Sequence, residues 1–388
     1  MSTLVQPTLS DKGRSAQWAV AMLFFVYGTR MSTWFMYIPA LPDRFSLSES
    51  ELGLLFLVAS VGAFFAVVRG GVWTMRVGSQ ALGVFWSLAF CLIVPGMILI
   101  DSLPVFVVLY LIYGVGAGMA DIAMNTQGVA VQHYTGRAVL SRFHGIYSVG
   151  MLVGAGTGTL AIASGVPPAV HMMAVFMPLA LLVMFNGRDL IPHELERGST
   201  TPQTSGFMIP RGVLLWIGLL VFAAYFSEET VVAWSGIYLQ DTLHAAPAVV
   251  PLGYLAFALM MTTGRMFGDW LTTRYAPETV VRYSALTASV GLALGLMIPH
   301  PGAAIIGFGC AGLGVANLAP VLLSAAGRMP GLPSGVAVSA VSSVGYLAFF
   351  IGPPIVGFVA EATSLAYGIG VMVLVGLMTA ACAGIIRR

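Results

Sequence analysis

The strongest constraint on this chain is the recurrence of apolar runs roughly twenty residues long, separated by short polar connections. A helix of that length rises about 30 Å, the thickness of a bilayer's hydrocarbon core, and inside that core a helix satisfies its own backbone hydrogen bonds. Twelve such runs can be placed, at approximately 16–38, 52–72, 79–100, 104–131, 143–164, 168–186, 212–239, 250–271, 280–299, 302–326, 334–360 and 365–386. With 58% hydrophobic and only 8% charged residues, the chain lacks the polar surface that a water-soluble domain needs. The expected fold is an all-α membrane protein of twelve transmembrane helices. Residues 1–15 contain no signal-peptide core, so the first run is expected to stay as an uncleaved span.

The connections organise these spans. All are short except 187–211, where Arg188, Asp189, His193, Glu194, Glu196 and Arg197 precede a Ser/Thr/Pro tract. This stretch reads as a solvated cytoplasmic linker between six-helix bundles at 1–186 and 212–388. Basic residues then orient the chain. With both termini inside, fifteen fall on the inner side, among them Arg69, Arg76, Arg137, Arg142, Arg265, Arg274, Arg282 and Arg328, and only Arg44 falls outside. Both termini are therefore expected in the cytoplasm. The halves also repeat at an offset of 195–198 residues: Tyr27 matches Tyr225, Gly70 and Arg76 match Gly268 and Arg274, GMADIA (118–123) matches GVANLA (314–319), and SVG recurs at 148–150 and 343–345. Six spans per half keep both halves the same way up, giving a pseudo-two-fold axis along the membrane normal.

Polar residues inside the spans are the functional candidates, because a charge at the bilayer centre costs about 2.5–3.5 kcal/mol unless it faces protein or water. In the first span Tyr27, Arg30, Trp34 and Tyr37 form one helical stripe. Such aromatic stripes are usually core packing, but Arg30 must find an anion or water. Its repeat counterpart is Glu228, beside Glu229, and an ion pair across a central cavity is expected. In the fourth span Asp121 and Asn125 are four residues apart on one face, and His144 opens the fifth span at a similar depth. An Asp121–His144 pair could relay protons; alternatively Asp121 pins helix ends through Arg69 or Arg142. Asn317 replaces Asp121 in the second half, where Tyr346 supplies another polar group. Trp34, Tyr37, Trp234, Tyr254 and Tyr346 suit either a sugar face or an aromatic drug.

Several chemistries are excluded. The single lysine, Lys12, forms no phosphate-binding G-x-x-x-x-G-K-[ST] loop, and no H-E-x-x-H or G-x-S-x-G motif occurs. Cys91, Cys310 and Cys382 lie in apolar runs without metal or disulfide spacing. No cofactor, metal or enzyme activity is expected, and a net charge of +2 gives no footing for nucleic acid. The expected partners are a small-molecule substrate, protons and membrane lipid, with the chain acting as a monomer.

The whole chain resembles a major facilitator superfamily (MFS) transporter. The segments TRMSTWFMYIPALPDRFSLSESELG, DIAMNTQGVAVQ, SRFHGIYSVG and SVGYLAFFIGPPIVG (343–357) look most like a bacterial branch of sugar or drug permeases, distantly similar to the proton-coupled fucose permease. The resemblance implies alternating access, with a cavity lined by the first, fourth, seventh and tenth spans, and a bacterial inner-membrane location. It also implies a gating loop after the second span of each half. Here the first-half loop has Met75 where the family has Asp, leaving Arg76, while the second half keeps Arg265, Asp269 and Arg274. The fucose permease has an acid in its first helix; this segment has only Arg30, so fucose chemistry does not carry over. The function implied is proton-coupled transport of a sugar or small metabolite. Efflux of amphipathic compounds is the second reading, and a non-transporting sensor or partner subunit the third.

Overall fold

The computed structural model describes residues 9–135, 139–196, 210–329, 332 and 334–387. Every element in them is helical: α1 (Leu9–Phe35), α2 (Leu41–Phe45), α3 (Glu49–Val77), α4 (Ser79–Ile98), α5 (Leu103–Thr135), α6 (Leu140–Ala163), α7 (Pro168–Asn186), α8 (His193–Glu196), α9 (Val213–Ile237), α10 (Leu252–Met266), α11 (Gly268–Arg274), α12 (Pro277–Met297), α13 (Pro301–Val315), α14 (Leu318–Gly327), α15 (Ser334–Gly345), α16 (Leu347–Ala362) and α17 (Leu365–Cys382), with short single-turn helices between some of them. Arg137, Arg388 and residues 197–209 of the connection between halves lie outside the described residues.

Among the described residues, ten segments are long and apolar enough to cross a membrane. The two other expected spans are accounted for by their sequences. In α1 the apolar run is diluted by Thr29, Arg30, Ser32 and Thr33, all buried. The span at 250–271 is diluted by Arg265 and Asp269 and is also interrupted at Phe267. Outward faces are apolar, as lipid requires: Phe64, Leu92 and Leu160 are 55%, 78% and 68% exposed.

The chain forms two compact units. The first comprises Met1–Trp34, Val58–Thr157 and Val166–Gln203; the second comprises Phe35–Leu57, Gly158–Gly165 and Thr204–Arg388. In the first unit, small residues let backbones approach closely. A Cβ at Gly150 of α6 would overlap the Phe25 carbonyl of α1. The start of the 187–211 connection is docked on this unit, with Leu190 and Ile191 buried. There the buried Gln127 amide receives the Ile191 N–H (2.9 Å) and donates to the Ile191 carbonyl (2.9 Å) and to Ser79 Oγ (2.7 Å).

In the second unit, three segments are broken where their repeat counterparts in the first are continuous. α10 and α11 are separated at Phe267, α13 and α14 at Ala316 and Asn317, and α15 and α16 at Tyr346, whereas α3, α5 and α6 run through. Pro353 and Pro354 lie inside α16, which continues past them. The residues Phe35–Leu57 are first in sequence yet pack here. Ser48 and Glu51 form a capping box at the start of α3: the Ser48 N–H donates to Glu51 Oε2 (2.9 Å), and the Glu51 N–H donates to Ser48 Oγ (3.3 Å). Glu361 at the end of α16 completes it, accepting from Ser48 Oγ (2.9 Å) and the Ser50 N–H (3.0 Å). Gln240 adds hydrogen bonds to the Pro39 carbonyl (3.1 Å) and Asp43 (3.2 Å).

Candidate functional site

The first unit buries a cation among rings. Arg30 lies midway along the apolar part of α1 and has no solvent exposure. Its guanidinium carbon is 3.9 Å from the Phe90 ring centre and 4.5 Å from that of Tyr27, one turn earlier. Tyr27 is held by a hydrogen bond from its hydroxyl to the Ala117 carbonyl (3.2 Å). One turn after Arg30, Trp34 is fully buried beside Phe106, Tyr110 and Tyr113 of α5, with ring centres 6.0–6.2 Å away. The α5 rings recur at i, i+4 and i+7, so one helical face supplies this aromatic wall.

Aromatic faces stabilise a desolvated cation by about 2 kcal/mol, but they offer no lone pairs to its N–H groups. Among the described residues, Nε, Nη1 and Nη2 of Arg30 have no hydrogen-bond acceptor, and neither has Nε1 of Trp34.

Asp121 is the carboxylate that Arg30 feels within its own unit. It is half-buried in the continuous helix α5, and the Asn125 amide donates to its Oδ1 (3.1 Å) and to its backbone carbonyl (2.9 Å). His144, expected as the proton-relay partner, is exposed and meets Phe24 edge-on at 5.1 Å. The hydrogen bond to the Asp121 carboxylate thus comes from its own helix.

The second unit distributes its polar groups differently. Glu228 on α9 pairs with Arg265 on α10 (3.9 Å), both partly exposed. Arg30 lies on the Phe90 and Tyr27 rings and Glu228 pairs with Arg265; among the described residues no carboxylate is hydrogen-bonded to Arg30, so the expected pair with Glu228 or Glu229 is not formed. Glu229, next along α9, is half-buried. Asn317 is buried in the break between α13 and α14 and donates its amide to the Gly264 carbonyl (2.8 Å), so it serves the backbone. That carbonyl is available because α10 ends beside it. A Cβ on Gly268 would collide with Asn317 Oδ1, so any larger residue at this crossing would have to displace the Asn317 amide. Tyr346, 44% exposed, stacks on Tyr225 at 5.8 Å. Of the expected gating residues, Arg76 and Arg274 are exposed at helix ends, Arg265 is on Glu228, and the Asp269 side chain lies outside the described residues.

Sequence reasoning missed Phe90, the α5 rings and the Glu361 contacts. The capping box Ser48-x-x-Glu51 was a readable signal for the start of α3, but nothing local pointed to Glu361.

Comparisons with known proteins agree with this architecture. The Major Facilitator Superfamily profile matches residues 19–337. An uncharacterised MFS-type transporter of Yersinia pestis is 32% identical over 389 residues, covering 100% of both chains. Among solved structures, the nucleoside transporter NupG superposes with a TM-score of 0.77 at 11% identity, covering 96% of this chain and 100% of that one. The E. coli fucose:proton symporter FucP superposes with a TM-score of 0.64 at 17% identity, covering 96% and 98%.

Proposed function

This chain belongs to the major facilitator superfamily and is a multi-pass membrane transporter, and from that premise we propose that it couples solute movement to proton movement by alternating access. The observation that carries the reading is Asp121, a half-buried carboxylate in a membrane-length apolar helix, in the same unit as the buried Arg30. A carboxylate in such a place can hold a proton in one state of the cycle and release it in another. We place the chain in a bacterial inner membrane as a monomer, and the asymmetry of its basic residues supports both termini in the cytoplasm. On that orientation the two six-helix halves, 1–186 and 212–388, rock about a substrate cavity, with the connection 187–211 on the inner side. A sugar or other small metabolite is the proposed solute, in keeping with the polar and aromatic groups Arg30, Trp34 and Asp121 within the apolar helices of the first unit.

Reconstitution in proteoliposomes tests the proposal. One coupled proton accumulates solute about tenfold per unit of pH gradient, the equivalent of 1.36 kcal/mol. Asp121→Asn keeps the hydrogen-bonding shape and fixes the site neutral. It is expected to retain solute counterflow while losing pH-driven accumulation. Residual transport in the variant that is still fully pH-driven would show that Asp121 is not the coupling group.

A further inference from the structure

We propose that the transported solute carries a carboxylate or phosphate group, and that Arg30 with Trp34 is its binding site in the first unit. The inference rests on the transporter reading above and adds the substrate class.

It follows from a mismatch of donors and acceptors. The guanidinium has five N–H groups and the indole has one, and among the described residues none of them finds an acceptor, although both side chains are wholly buried. The polar groups of its surroundings are directed to other partners. The Ala117 carbonyl receives the Tyr27 hydroxyl, Asp121 Oδ1 receives the Asn125 amide, and the Tyr113 hydroxyl is directed at Met31 Sδ (3.2 Å). Buried polar groups are nearly always paired in folded proteins, and a charged one left bare is the costliest exception. Arg30 and Trp34 are four residues apart on α1, so both project from one face. A donor-rich, acceptor-poor site of this kind is completed by a ligand rich in acceptors. The planar fork of arginine fits the paired oxygens of a carboxylate or phosphate, and neutral hydroxyls would leave its charge unmatched. The ring faces of Phe90 and Tyr27 hold the cation in place and provide an apolar wall for the rest of the solute.

Charge balance ties this site to coupling. The other ionisable groups acting on Arg30 in its unit are Tyr27, Cys91, Tyr113 and Asp121. Both phenols and the thiol are neutral at physiological pH. An anion on Arg30 therefore leaves one negative charge in excess until Asp121 takes up a proton, so anion and proton travel together. Arg30 has no exposure in this structure, and the solute reaches it in another state of the cycle.

The test uses purified full-length protein, thermal stability, and matched probes: glucuronate and glucose 6-phosphate against glucose, and simple carboxylates and inorganic phosphate against neutral alcohols. The wild type is expected to be stabilised by anionic members only. Arg30→Met removes an unsatisfied buried charge, so its ligand-free Tm should rise by about 2–4 °C while anion stabilisation disappears. Arg30→Lys keeps the charge but not the fork and should lose about tenfold or more in anion affinity. A lower ligand-free Tm for Arg30→Met would mark Arg30 as structural and overturn the proposal. Stabilisation of the wild type by neutral probes alone, or by no probe, would overturn it too. A protein that binds anions through Arg30 yet moves none across a vesicle would instead sink the transporter reading and leave the binding site standing.

Discussion

GMADIA at 118–123 and GVANLA at 314–319 occupy matching places in the internal repeat, yet one is straight and the other broken. In the first unit α5 passes through Asp121 without interruption. Its packing against α3 is apolar, through Ala66, Met119 and Ala123, and no side chain is needed to satisfy the backbone. In the second unit both partners are interrupted, α10 at Phe267 and α13 at Asn317, and the Asn317 amide takes up the carbonyl that the first break exposes. The same repeat position thus carries a charge where the backbone is intact and a neutral amide where the backbone needs a donor. Position 317 carries a structural duty, pairing the Gly264 carbonyl, that the intact backbone around position 121 does not require.

Stability measurements can break that contrast. Removing the buried amide by Asn317→Ala leaves the Gly264 carbonyl unpaired and is expected to cost about 1–3 kcal/mol, while Asp121→Asn should stay within about 0.5 kcal/mol. Equal losses from the two variants in thermal unfolding would show that Asp121 is structural after all. A smaller effect sharpens the same comparison. Gly268→Ala drives a Cβ into Asn317 Oδ1 and should cost about 1 kcal/mol, whereas Gly70→Ala meets only the flexible end of Ile122 and Met119 Sδ and should cost less. Combined with Asn317→Ala, the Gly268 substitution should be less harmful than the sum of the two, and strict additivity would argue against the crossing described here. The smallest effect is expected at Glu361. Glu361→Gln weakens the acceptor for Ser48 and Ser50, so hydrogen exchange at the Ser50 amide should quicken with little change in Tm; unchanged exchange would mean the contact holds nothing.

The fold was legible because membrane insertion leaves a coarse signature: apolar length, basic asymmetry and a repeat offset all survive in the letters. Arg30 and Asp121 were legible for the same reason, as rare charges in apolar runs. Their partners were not. Matching Arg30 to Glu228 by repeat offset assumed that related positions pair, whereas Arg30 lies against the rings of Tyr27 on α1 and Phe90 on α4, and Glu228 pairs with Arg265. Hydropathy also fails to separate two phenylalanines on α4, since Phe85 is 60% exposed and Phe90 is wholly buried against the guanidinium. The connection 187–211 looked solvated by its charges, but Leu190 and Ile191 at its start are anchored by Gln127, a residue whose role depends on where Ser79 lies.

The Ser48–Glu361 hydrogen bond has a consequence for biogenesis. Its partners are 313 residues apart in the chain, and at about 5–20 residues per second a ribosome needs roughly 15–60 seconds between them. Throughout that interval the start of α3 is already made and inserted, with only Glu51 to cap it, and the segment Phe35–Leu57 has no second unit to join. Assembly of this protein is therefore completed at its carboxyl-terminal end, and a nascent chain stalled before α16 would hold its early helices without their final anchor.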